Sequence, residues 1–325
     1  MAGITGQGTT FNLPNYTNEL FRLTPADTPV LSAIGGLTGG KGSNTPVFTW
    51  QTYDLRAAAV NRQRLEGANA PTAEARVRAN VRNVLEIHQE ALEVSYTKQA
   101  AVGLIAGSGS SHPHGGSSPG ANPVTNEIDW QLAQHIIQVA RDVELTFLTG
   151  AFVEPADNAT ARATRGLIPA ITTNVVDAGT AAPLTKAHVL DLMQAVWTSG
   201  GIMVDETRTL ICNGFQKRKL TELFISDAVY QQDSRTVGGV RVDTILTDFG
   251  TVNVMLDRHM PAGIIVVASL EQLTPVFMEI PGKGHFFVEP LSKAGAADRF
   301  QLYGEIGLEY GNEQAHGKII DLAIA

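Results

Sequence analysis

The residues of this chain that could do chemistry are few, and their spacings do not converge on a reaction. Gly35-Gly36-Leu37-Thr38-Gly39-Gly40-Lys41-Gly42-Ser43 nearly spells the phosphate-binding pattern G-x-x-x-x-G-K-[ST]. Gly42 stands where a magnesium-ligating hydroxyl belongs. Thr45-Pro46 then leads into a strand, where a helix N-terminus should present its amides to phosphate. The segment therefore reads as a flexible hinge. His112-Pro113-His114 lies in a Gly/Ser loop without a third ligand, a poor metal site. His88, His135, His188, His259, His285 and His316 are scattered, with no H-E-x-x-H spacing. Asp205-Glu206 and Asp257-Arg258-His259 sit near strand ends and suit turns and salt bridges, and no serine lies in a G-x-S-x-G elbow. Cys212, the single cysteine, falls in an apolar run and reads as a buried, reduced structural thiol. Trp50 and Trp197 read as core residues, and Trp130 as helix packing rather than a ligand platform. The expectation is a protein that is not an enzyme and holds no catalytic set, metal or cofactor.

Arginine is concentrated instead. Between residues 54 and 85 stand Arg56, Arg62, Arg64, Arg76, Arg78 and Arg82 against Asp54, Glu66 and Glu74, a net charge of +3 on a chain whose total is −8. A basic segment on an acidic body suggests docking on an acidic surface of another copy. The overall sign argues against a protein that coats nucleic acid through a basic face, and is compatible with one that merely encloses it.

Several elements must position these groups. Residues 1–45 form an arm: Gly, Thr, Asn and Pro dominate, and Pro14, Pro25 and Pro29 break any long helix. Leu20, Phe21 and Leu31 are its apolar anchor points, expected on a neighbouring surface because such a segment cannot offset its own ordering entropy. Residues 46–97 read as a long hairpin, one limb from Val47 to Leu55 and the other running from Val77 through Leu85 and Ile87 to Val94. A Gly/Ser loop at 107–124 precedes the clearest helix. Asn126 caps it, and Ile128, Leu132, Ile136, Val139, Val143 and Phe147 recur at helical spacing as far as Gly150. From about 165 to 290 the pattern predicts an α+β body with a mostly antiparallel sheet: helices from a Thr185 cap to Gly200 and from Asn213 to Ser226, and strands at Thr207–Cys212, Val240–Leu246, Val252–Leu256, Ile264–Ala268 and Val276–Ile280. A last strand runs from Lys318 to Ile324.

Hydrophobic residues make up 43% and charged residues 17% of 325 residues, enough for a real core in about two domains. Met1–Thr10 shows no apolar signal segment, and no apolar run approaches the roughly 20 residues of a membrane helix. The expectation is a soluble chain made in a reducing cytoplasm, without a membrane partner.

Three blocks resemble a known family. They are Asn15-Tyr16, Glu19-Leu20-Phe21, Leu23-Thr24-Pro25, Asp27-Thr28-Pro29 and Ile34 to Gly40, with Phe48-Thr49-Trp50-Gln51; then Leu256-Asp257-Arg258-His259-Met260-Pro261; then Glu289 to Arg299 with Tyr303 to Glu313. In this order they resemble the major capsid proteins of tailed double-stranded-DNA bacteriophages. The resemblance implies a Hong Kong 97-like fold: an N-terminal arm (1–45), an extended loop (46–97), a peripheral domain (98–165 and 290–317) around the long helix, and an axial domain (166–289 and 318–325). It implies self-assembly as pentamers and hexamers into an icosahedral virion capsid around packaged DNA, synthesised in the host bacterial cytoplasm. A portal protein would be a partner; since nothing before Phe11 could be a fused scaffolding domain, assembly would use a separate scaffold or none, with a cement protein as a further candidate partner. Removing residues 1–45 should then leave a folded body that no longer closes into shells. No lysine lies between Lys41 and Lys98, so the loop lacks the amine that isopeptide cross-linking requires in some members of this fold class. The alternatives are a cellular encapsulin-type compartment, whose end blocks are less similar, and a virion-associated hydrolase or glycan-binding protein. The latter is disfavoured by the missing acid pairs and aromatic platforms.

Overall fold

Asn126 begins the long helix as its residue type demands: its side chain accepts from the amides of Ile128 and Asp129, and Gly150 closes the helix after Thr149. The computed structural model describes residues 22–60, 62–100, 126–202, 207–225, 234–237 and 240–324. Along the chain, helix α1 (Pro29–Ile34) and strand β1 (Lys41–Ser43) precede β2 (Val47–Tyr53), β3 (Arg78–Val84), β4 (Glu86–Ser95) and α2 (Tyr96–Ala100). The long helix is α3 (Glu127–Thr149), followed by α4 (Leu167–Ala170), β5 (Val175–Ala182), α5 (Lys186–Thr198), β6 (Arg208–Cys212) and α6 (Gly214–Ile225). Strands β7 (Ser234–Val237), β8 (Val240–Thr247), β9 (Gly250–Leu256), β10 (Ile265–Ser269), β11 (Thr274–Met278), β12 (Phe286–Pro290), β13 (Ala297–Glu309) and β14 (Gly317–Leu322) complete it.

Two sheets carry the molecule. In the first, β13 is the hub: β4 runs antiparallel along Ala297–Ile306, while β12 and β11 share its opposite side. β1 extends that sheet as a parallel neighbour of β11. The second has the order β5-β14-β10-β6-β9-β8-β7. Its pairs are antiparallel except β5 with β14 and β6 with β9. Its central strands are buried on both faces, which is why they read as unbroken apolar runs. Leu210, Cys212, Val254, Ile265 and Val267 face the α5 and α6 side with Leu192, Met193 and Leu220. Ile211, Met255, Val266 and Ala268 join the cluster built on Val143 and Phe147 of α3 and Leu167 of α4.

The structure corrects several expectations. The second limb of the hairpin ends at Val84, because β4 leaves it and pairs with β13. β11, expected with the 166–289 body, also belongs to the β13 sheet. The glycine-rich stretch is no loose hinge. Gly35, Gly36 and Gly40 take positive φ, a Cβ on Gly40 would run into the Pro275 carbonyl, and Lys41 Nζ lies 2.7 Å from Glu309. Trp197 is 60% exposed beside Phe249, not core, and Trp130 and Ile136 on α3 also reach solvent, so that helix is buried only from Val139 onward. Trp50 is half-buried, donates from Nε1 to the Gly311 carbonyl at 2.7 Å and meets Tyr310 edge-on. Among the described residues no helix is long and apolar enough to cross a membrane.

Candidate assembly surface

The hairpin of β2 and β3 pairs in register from Val47 opposite Val84 to Tyr53 opposite Arg78. Its base is held by Asn83, which is fully buried. Its Nδ2 donates to the carbonyls of Arg165 and Leu308 at 3.1 and 2.8 Å, and its Oδ1 accepts from the amides of Val84 and Arg165. A buried amide with all these bonds made resists reorientation, so it sets the angle at which the hairpin leaves the body.

Beyond the strands, the described residues from Asp54 to Val77 form no strand or helix and are exposed throughout. Leu55, Val60, Leu65 and Val77 project into solvent with the arginines. Arg56, Arg62 and Arg76 gather on one carboxylate, Glu74, at 3.7, 3.1 and 3.1 Å. Hydrogen bonds from Arg76 and then Arg62 hold the Glu74 carboxyl below its ordinary range. One carboxylate cannot neutralise three guanidinium groups, so the surface stays basic. Arg82 reaches Glu154 on its own chain at 3.3 Å. Arg64 and Arg78 form no ion pair among the described residues. The six arginines thus lie on one projecting segment, but four already have an acid of their own chain and two do not.

The arm anchors divide. Leu20 and Phe21 lie outside the described residues. Leu31 is not available to a neighbour: it is 1% exposed, packed with Val30 into the cluster around α3. A six-residue helix lays this apolar pair on the body of its own chain, which is a cheaper way to cover it than recruiting a second copy. His112 and His114 also lie outside the described residues, and the described residues contain no group of three or more His, Cys, Asp or Glu placed to hold a metal. His316 is buried and structural, accepting from the Ser269 amide and contacting the Tyr310 carbonyl. Cys212 is a buried free thiol whose pKa burial pushes up to about 12. Asp257, expected in a turn, is fully buried and accepts from the His259 amide, while Arg258 pairs with Asp27 at 2.8 Å. Reading the sequence missed Asn83 and Glu144. Glu144 carried a usable signal, since it is an acid on the same helical face as Val143 and Phe147.

A family model described as SU10 major capsid protein matches residues 3–323. The major capsid protein of Escherichia phage Phieco32 is 20% identical over 362 residues, covering 95% of this chain and 94% of that protein. Among solved structures, the cyanophage A-1(L) capsid asymmetric unit superposes with a TM-score of 0.66 at 12% identity, covering 97% of this chain and 98% of that one. The capsid of Myoviridae phage XM1 gives 0.57 at 13% identity, with 96% and 97% covered. The holo-SrpI encapsulin complex from Synechococcus elongatus PCC 7942 gives 0.56 at 11% identity, with 88% and 86% covered. Such superpositions show the fold, which is Hong Kong 97-like. Matched almost from end to end, this chain belongs to the SU10 major capsid protein family and is a major capsid protein of a tailed phage, with a structural role in the virion shell.

Proposed function

We propose that copies of this chain form pentamers and hexamers that close into an icosahedral shell around double-stranded DNA, with the 54–77 segment lying over a neighbouring copy. The observation that supports this most is that segment itself. Its described residues are exposed throughout, leucines, valines and a surplus of arginine among them, which a monomer in water has no reason to maintain. In this reading the arm extends to about residue 45 and the extended loop spans 46–84. The peripheral part comprises 85–165 with 274–317, and the axial part 166–273 with 318–324. The net charge of −8 suits a container that must not bind its DNA tightly. A portal, a scaffold and a cement protein would complete assembly in the host cytoplasm. An encapsulin-type compartment shares the fold, but the family that this chain matches is one of phage major capsid proteins. Negative-stain microscopy of the purified protein tests the reading: closed shells or capsomers support it, and a uniform monomer at assembly concentrations overturns it.

A further expectation concerns how the shell is locked. The extended loop carries arginine and no lysine, and a guanidinium stays protonated and is a poor nucleophile. Mature particles should therefore run as one band near 34.6 kDa on a denaturing gel. A ladder of linked multimers would show covalent locking instead.

A further inference from the structure

Helix α1 begins at Pro29, and the side chain of its cap residue Thr28 accepts from none of its amides, meeting only the Ser32 hydroxyl. The free amides of its first turn therefore need another acceptor. Glu144, fully buried in α3 and more than a hundred residues away, takes both: the amide of Val30 donates to Oε1 at 2.9 Å and that of Leu31 to Oε2 at 2.6 Å. Against Glu144 stands a second buried carboxyl, Asp257, just beyond β9. Its Oδ1 accepts from the His259 amide, but its Oδ2 is buried with no N–H donor among the described residues.

The neighbouring carboxyl of Glu144 can satisfy that oxygen if it carries a proton. No lysine, arginine or histidine forms an ion pair with either carboxyl among the described residues. Arg258 is engaged by Asp27, and His259 contributes its backbone amide and a nearby ring. Cys212 on β6 stays a neutral thiol, Lys217 on α6 acts electrostatically on that thiol, and α4 brings no titratable side chain. Glu271, on the 3-10 turn that also touches α1, is taken up by the Thr207 amide. Two carboxylates in a dry site cannot both ionise without large cost. A proton on Glu144 supplies the missing donor to Asp257 and leaves both its oxygens able to accept the α1 amides.

We infer that Glu144, Asp257 and helix α1 form a proton-held latch, which docks the arm on its own body while one proton sits between the two carboxyls and loosens it when that proton is lost. Burial, and next the Asp257 charge, push the Glu144 carboxyl from 4.5 up to about 9; burial also raises that of Asp257. When the arm lifts, Glu144 meets water and returns to its ordinary range. The open state therefore binds fewer protons than the closed one between pH 4.5 and about 9, so opening becomes easier as pH rises through that window. Acid tightens the latch and alkali loosens it. The latch lies within one chain, so its test does not require closed shells.

The test is hydrogen exchange of the peptide spanning Thr28–Gly36 in the full-length protein, with rates corrected for the intrinsic pH dependence of amide exchange. Protection of this peptide should fall by about tenfold per pH unit from about pH 5 to about pH 9 and then level off. Glu144→Gln, which keeps an acceptor and a donor but has no proton to lose, should give a flat profile. Asp257→Asn removes the neighbouring charge and should move the point of levelling to lower pH, which decides the matter if the glutamine variant fails to fold. A flat wild-type profile, or a wild-type profile retained in the glutamine or the asparagine variant, overturns the latch.

Discussion

A chain beginning at Asn44, without the arm through Ser43, is expected to be insoluble or unfolded rather than a sound body that merely fails to close shells. The structure reverses the expectation drawn from composition, because the end of the arm is part of the core. Truncation exposes the cavity filled by Val30 and Leu31, each worth about 1.5–3 kcal/mol in burial. It removes both amide donors of Glu144, and it removes β1 from the edge of β11. Together these losses are comparable with the roughly 5–15 kcal/mol that holds a domain folded. Leu31→Ala is the milder form and should cost about 2–5 kcal/mol. Soluble yield and the urea midpoint measure both, and a truncated chain that unfolds at the full-length midpoint would refute the assignment of α1 to the core.

The double reversal Arg64→Glu with Arg78→Glu should abolish assembly while leaving far-ultraviolet circular dichroism and the urea midpoint unchanged. These two arginines are chosen because they form no ion pair among the described residues. Reversing Arg76 or Arg82 would also break pairs with Glu74 or Glu154 and confuse folding with assembly. An exposed pair is worth only about 0.2–1 kcal/mol, but reversal turns attraction into repulsion, and a closed shell repeats that change at every copy. Light scattering in low salt reads the outcome. Shell yield equal to that of the parent sinks the idea of a basic loop on an acidic neighbour, and so does assembly of the parent that is indifferent to salt.

Local signals in the chain were strong enough to be read directly. Asn126, Gly150 and the spacing of Val139, Val143 and Phe147 write the long helix, and Thr185 caps α5 by accepting from the His188 amide. The apolar runs at β6, β9 and β10 announce strands buried on both faces. Each of these depends on neighbours within a turn or along one strand, where propensity and period carry the information. Arginine clustering was equally plain, as was the family likeness in the end blocks.

Tertiary structure alone decided the pairings made across long stretches of chain. Whether β4 continued the hairpin or joined β13, and whether β11 sided with its sequence neighbours or with β1 and β13, depends on partners that an apolar run does not name. Leu31 looked like an anchor for another copy because a sparse arm cannot bury itself. It is buried because α3 offers it a groove and Glu144 offers its helix a cap. That carboxyl pair was the least visible feature of all. Glu144 and Asp257 lie 113 residues apart in the chain, and only folding brings them into one dry site, where both cannot be ionised at once.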